Sequence, residues 1–274
     1  MRKFKENLLK FIVYLSAFIT VSLLVMILGY IFVKGFGRLS WGFIVKDYSA
    51  SGDGGIFPMI ISTLYTVVLA LGIATPIGVL AAIYLAEYAK QGKVVRIIRF
   101  AVQSLAGIPS IVYGLFGSIF FVVALKLGYS LLAGSLTVAI IILPVIISTT
   151  EDAIKTVPIS YKEASLGLGA TKFQTLYKVI LPSSLSGILV GIILSVGRIV
   201  GESAAILLTA GTVAKMPSGI MSSGRTLTIQ AYLVTQEAGN IEEASAVGIV
   251  LILIILAINI LAKLITKKFN KANY

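Results

Sequence analysis

The stretch EDAIKTVPISYKEASLGLGATKFQTLYKVILP, residues 151–182, is a long polar passage set between two strongly apolar ones. It reads as two short helices joined by a hinge. Ser160 stands three residues before Glu163, and Thr171 stands three before Gln174. At that spacing a hydroxyl and an acid or amide satisfy the free N–H groups of a helix start. Gly167 and Gly169 fall between the two segments, where glycine can take the positive φ that ends a helix. The chain is therefore expected to turn after Ala164 and Ser165 and to start again at Thr171. Pro182 is expected to close the second segment.

Outward from this passage the chain is apolar in both directions. Of its 274 residues, 58% are hydrophobic and 12% charged, and the mean hydropathy is +1.01. A soluble domain has about half its residues apolar and about a quarter charged. The expectation is an all-α integral membrane protein with six spans, at residues 11–33, 59–86, 101–125, 130–149, 183–210 and 244–265, each long enough to cross a bilayer. The first is too long for a secretory signal and is taken as a retained span. Residues 1–57 form the first helix and an external loop, with Trp41 and Tyr48 suited to the membrane interface and a glycine-rich turn at 51–55. Residues 58–274 form a five-helix core, with the polar passage at 151–182 on one side of it.

Counting Lys and Arg by side sets the orientation. Sixteen fall on the N-terminus, the loop after the second span, the 151–182 passage and the C-terminus, against six on the opposite loops. By the positive-inside rule both termini and the 151–182 passage are cytoplasmic. The net charge of +12 is thus inner-face charge facing membrane lipid, and no nucleic-acid partner is implied. The chain has no Cys and no His, which removes thiol and imidazole chemistry. It also lacks the G-x-x-x-x-G-K-[ST] loop, so any ATP hydrolysis belongs to a partner.

Three further passages stand out, two within spans and one in the loop before the sixth. In the third span, GIPSIVYG at residues 107–114 permits irregular backbone and offers the hydroxyls of Ser110 and Tyr113; a simple kink and the lining of a wet path both remain open. In the fifth, LSVGRIVGESAAILLTAG at residues 194–211 carries Arg198 and, four residues on, Glu202. At 100° per residue Gly187, Gly191, Ser195, Arg198, Gly201, Glu202 and Ala205 share an arc of roughly 120°. Either the two charges neutralise each other and lock the helix, or the Arg198 guanidinium faces a path and attracts an oxyanion through its fork of donors. The third passage, residues 215–225, is rich in Ser and Gly, as a docking loop or a loose surface loop would be.

The order Glu163, Ala164, Ser165, Gly169, Val179, Ile180, Leu181, Pro182 resembles the EAA loop of bacterial ABC importer permeases, with Ser165 where a second alanine is usual and Val179 where isoleucine is usual. Residues 54–89, 106–117 and 197–212 are similar to phosphate-specific permeases of the PstA family, and the Arg-x-x-Gly-Glu pattern of Arg198 to Glu202 carries much of that likeness. The resemblance implies a type I ABC importer permease fold in a bacterial or archaeal plasma membrane. Ser160, Glu163, Ala164, Ser165, Gly167 and Gly169 would form the ATPase-coupling segment. Arg198 and Glu202 would lie on the substrate pathway, and Ser195, Ser110 and Tyr113 are placed beside them. It further implies a homologous PstC-like permease, two PstB-like ATPase subunits that hold ATP and magnesium, and a PstS-like phosphate-binding protein; this chain itself binds no cofactor and is not an enzyme. A permease for sulfate or molybdate is the near alternative. An ion-coupled secondary transporter is the distant one, and the inverted repeat it would need is not evident.

Overall fold

The computed structural model describes residues 2–49 and 54–271, with side chains for 5–49 and 54–264; most of the glycine-rich turn expected at 51–55, and the side chains of three C-terminal lysines counted above, lie outside that range. Every regular element in it is helical. In chain order these are α1 (Arg2–Gly35), α2 (Trp41–Val45), α3 (Phe57–Ile83), α4 (Lys93–Ala106), α5 (Ser110–Gly117), α6 (Leu131–Lys155), α7 (Ile159–Gly167), α8 (Lys172–Thr175), α9 (Leu181–Gly201), α10 (Ala204–Leu207), α11 (Leu227–Ala238) and α12 (Ile241–Lys271). Wider π turns extend α3 over Tyr84–Tyr88 and α5 over Ser118–Ala124, and join α8 to α9 over Leu176–Ile180. Five of the resulting helices are long and apolar enough to cross a membrane, and the bent pair α4–α5 makes a sixth.

The core is the α3, α6 and α9 trio. Val67, Ala70 and Ala74 of α3 pack with Val138, Ile142 and Ile146 of α6 and Val196, Ile199 and Val200 of α9. Small residues set how closely α6 and α9 approach. A Cβ added at Gly187 would meet Ala153 at 2.5 Å, and one at Gly191 would run into the Thr149 hydroxyl. Both pairs are antiparallel neighbours of one register. Replacing Gly191 by valine is expected to lower stability by about 1–3 kcal/mol through overpacking, read as a lower thermal midpoint of the detergent-solubilised protein, whereas Gly197→Ala, which meets nothing within 4 Å, should leave it unmoved.

Several boundaries differ from the sequence reading. The third span does not run straight from residue 101. The axis bends by 98° between α4 and the helix starting at Ser110, because Pro109 is extended (φ −58°, ψ 138°) and cannot continue α4. The pair is thus a broken span whose two halves are nearly perpendicular. The fourth span runs on through Glu151 to Lys155, so the first five residues of the polar passage are the end of a span. Pro182 does not close a helix either: residues 172–201 run as one span. A proline ring clashes with the carbonyl four residues back, and the π turn over Leu176–Ile180 opens the helix at Lys178, where that clash would fall.

The Ser/Gly-rich stretch before α11 is tightly built. The Ser222 and Ile220 carbonyls accept from the N–H groups of Leu131 and Leu132, the free donors at the start of α6. Gly224 sits where a Cβ would meet Leu131 at 2.7 Å and Ser62 at 2.9 Å. A loose surface loop is therefore not what the sequence forms here. It caps the fourth span from outside.

Candidate functional site

At the inner edge, α7 stands out from the helical core with no buried residue. Its start is not a capping box: Pro158 occupies the N-cap with φ −56° and ψ 132°, with no side-chain cap bond, so Ser160 is already inside the helix. A proline suffices, since it fixes the backbone for helix entry. Thr171 and Gln174 do form the expected reciprocal box. Of the two hinge glycines, Gly169 has φ +84° and makes the turn, while Gly167 lacks a positive φ and ends α7. Ser160, Glu163, Ala164, Gly167 and Gly169 are all exposed. So are Ile159 (71%), Tyr161 (54%) and Leu168 (90%). Ser165 is half-buried, its hydroxyl 2.9 Å from that of Thr175.

At mid-depth the second group of residues comes together. Gly187 faces Ala153 and Gly191 faces Thr149, and the same antiparallel register sets Arg198 level with Ile142, about 17 Å below the outer end of α6 at 1.5 Å per residue. Tyr113 packs with Ile141 and Ala205 at that depth, within range of the Arg198 charge. Its hydroxyl donates to the Leu105 carbonyl at 2.7 Å, which staples the bend between α4 and α5. Ser110 opens α5, half-buried. Ser195 is fully buried and donates to the Gly191 carbonyl at 2.9 Å. It thus faces the packed side of α9, away from the exposed stripe of Val190, Leu194, Arg198 and Gly201.

An Arg198–Glu202 pair, one of the two arrangements left open by the sequence, is absent among the described residues. The α9 helix ends at Gly201 and Glu202 is extended, with φ −78° and ψ 126°. The small face inferred for one continuous helix therefore stops there. Glu202 is buried, its Oε1 accepts from the Ala205 N–H at 3.1 Å, and its carbonyl accepts from the Thr228 hydroxyl at 3.0 Å. Its carboxylate thus serves one of the free N–H groups where the chain restarts as α10. Arg198 is exposed, with no hydrogen bond or ion pair among the described residues.

The sequence profile of the binding-protein-dependent transport system inner membrane components matches residues 74–272. The chain belongs to that family. It is 35% identical to the probable ABC transporter permease protein YqgI of Bacillus subtilis (strain 168), over 96% of this chain and 95% of the relative. With the phosphate transport system permease protein PstA of Pasteurella multocida (strain Pm70) it shares 36% identity over 76% of this chain and 75% of the relative. A bacterial alginate ABC transporter, solved in complex with an alginate pentasaccharide-bound periplasmic protein, superposes with a TM-score of 0.66 at 15% identity, covering 96% of this chain and 93% of that one. The fold is the type I ABC importer permease fold, and the protein is a multi-pass plasma-membrane protein.

Two features of this permease were not anticipated from its sequence. Glu151, 6% exposed, receives Arg99 at 2.7 Å and Lys155 at 2.7 Å. Arg99 also donates to Gln91 at 3.0 Å and to the Leu85 carbonyl at 3.4 Å. One guanidinium thereby ties α4 to the inner ends of the second and fourth spans. The second feature is the ion pair from Lys162 on α7 to Glu87 in the π turn that ends α3. Glu87, Arg99 and Glu151 each lie in a basic or polar stretch, and sequence spacing carries no sign of which charges across 52 and 75 residues meet.

Proposed function

We propose that this permease is one half of the pathway of an ATP-driven phosphate importer. The observation that carries the reading is Arg198: a cation level with the middle of the fourth span, on the exposed face of its helix, with no partner among the described residues. A bare charge facing lipid costs several kcal/mol, so this face is suited to a second protein subunit and a water-filled path between the two. A guanidinium there offers the planar fork that fits an oxyanion. Relatives named as phosphate permeases narrow the anion to phosphate.

On this reading a PstC-like permease faces the Arg198 side, two PstB-like ATPases that carry ATP and magnesium take the exposed apolar residues of α7, and a PstS-like protein delivers phosphate from outside. The permease contributes no catalytic group and no cofactor. Closure of the ATPases shifts α7, and rigid spans carry that shift to the Arg198 level, alternating access.

A second reading, transport of another oxyanion, draws on the same side chain, since an Arg fork recognises sulfate as well as phosphate. The two separate in one assay. ATP hydrolysis by the reconstituted complex should rise when the binding protein is added with phosphate and stay basal with sulfate. Stimulation by sulfate alone would keep the permease and transfer it to the other anion.

A further inference from the structure

We propose that the Lys162–Glu87 ion pair is the clasp through which movement of α7 reaches the second span. This rests on the functional reading above and assigns positioning residues to it.

With no buried residue, α7 is poorly held by packing. Behind it the inner ends of three spans meet in one apolar cluster of Ile83, Ile154, Leu176 and Ile180. Between α7 and that cluster remains a cavity of about 110 Å³, bordered by Glu87, Lys162, Leu166 and Thr175. Contact across this gap is made by side chains: Ser165 to Thr175, beside the fifth span, and Lys162 to Glu87, beside the second. The fourth span needs no such contact, because three residues of chain, 156–158, join it directly to α7.

Glu87 lies within a π turn, Tyr84–Tyr88, and Thr175 directly precedes another, Leu176–Ile180. Such turns lack the regular i→i+4 ladder and recur at functional positions. Glu87 is well placed within one of them, with 16% of its side chain exposed against 36% for Lys162. The acid is thus fixed by the span and the lysine is the moving member. Pulling α7 loads the π turn through this pair, and the regular part of α3 above it follows.

The test uses the complete complex in proteoliposomes and reads phosphate imported per ATP hydrolysed. Glu87→Gln and Lys162→Met should each still assemble and hydrolyse ATP, with the ratio lowered at least about fivefold, the lower end of ordinary coupling energies. The exchange Glu87→Lys with Lys162→Glu should recover most of the ratio. An unchanged ratio in the single variants, or an exchange no better than either, overturns the clasp. Should the single variants fail to assemble, the exchange variant decides: assembly and coupled transport regained by the exchange support the clasp, and an exchange that also fails to assemble, or that assembles uncoupled, overturns it. A wild-type complex that hydrolyses ATP without moving phosphate overturns the functional reading and the clasp together, whereas normal wild-type import beside normally coupled variants removes the clasp alone.

Discussion

Arg198→Gln is expected to lower phosphate import by the assembled complex about 30- to 150-fold, which corresponds to about 2–3 kcal/mol of lost charged hydrogen bonding at the anion. Assembly and thermal stability should be unaffected, because Arg198 holds no described residue of its own chain. Arg198→Lys should fall between, keeping the charge and losing the fork. The measurement is initial-rate uptake of labelled phosphate in proteoliposomes, with the thermal midpoint followed in parallel. A stability loss matching the uptake loss would instead make Arg198 a packing residue. Glu202→Gln is a useful contrast, since an amide oxygen can still accept from the Ala205 N–H. It should leave transport far closer to wild type.

The second large effect is structural. Glu151→Ala removes the common acceptor of Arg99 and Lys155 from a position 6% exposed. Breaking one side of a buried pair leaves the other charge uncompensated, and Arg99 is itself largely covered, with 29% of its side chain exposed. The expected loss is about 2–4 kcal/mol, seen as a lower thermal midpoint and as faster proteolysis between α3 and α4, around Gln91, where Arg99 holds the chain. Arg99→Met combined with Glu151→Ala should cost less than the two singles together, because they share one interaction.

How far the sequence carried this account differs between elements. The spans were legible because each is a long apolar run and the Lys and Arg asymmetry fixes their direction. The Thr171–Gln174 box and the Gly169 turn were legible because both are local, set by hydrogen bonds within four residues. Ser160 misled, since a proline two residues earlier starts the helix before the hydroxyl is needed. Pro182 misled for the opposite reason: a π turn absorbs its clash, and that widening has no sequence signature.

The Arg198–Glu202 spacing was the more instructive failure. Helical periodicity put the two on one face, but periodicity assumes the helix continues, and here it ends at Gly201. The acid then serves a restarting helix and leaves the arginine bare. Long-range charge pairs such as Lys162–Glu87 and Arg99–Glu151 depend on how three spans and two shorter helices are arranged, and became visible only with the fold.

The most direct measurement is labelled phosphate accumulation in sealed vesicles bearing the complete complex, with ATP supplied on the α7 side and binding protein on the other. Accumulation that requires both ATP and phosphate-loaded binding protein, and that Arg198→Gln nearly abolishes, is the expected result. Uptake that proceeds without ATP and follows an imposed proton gradient would contradict it.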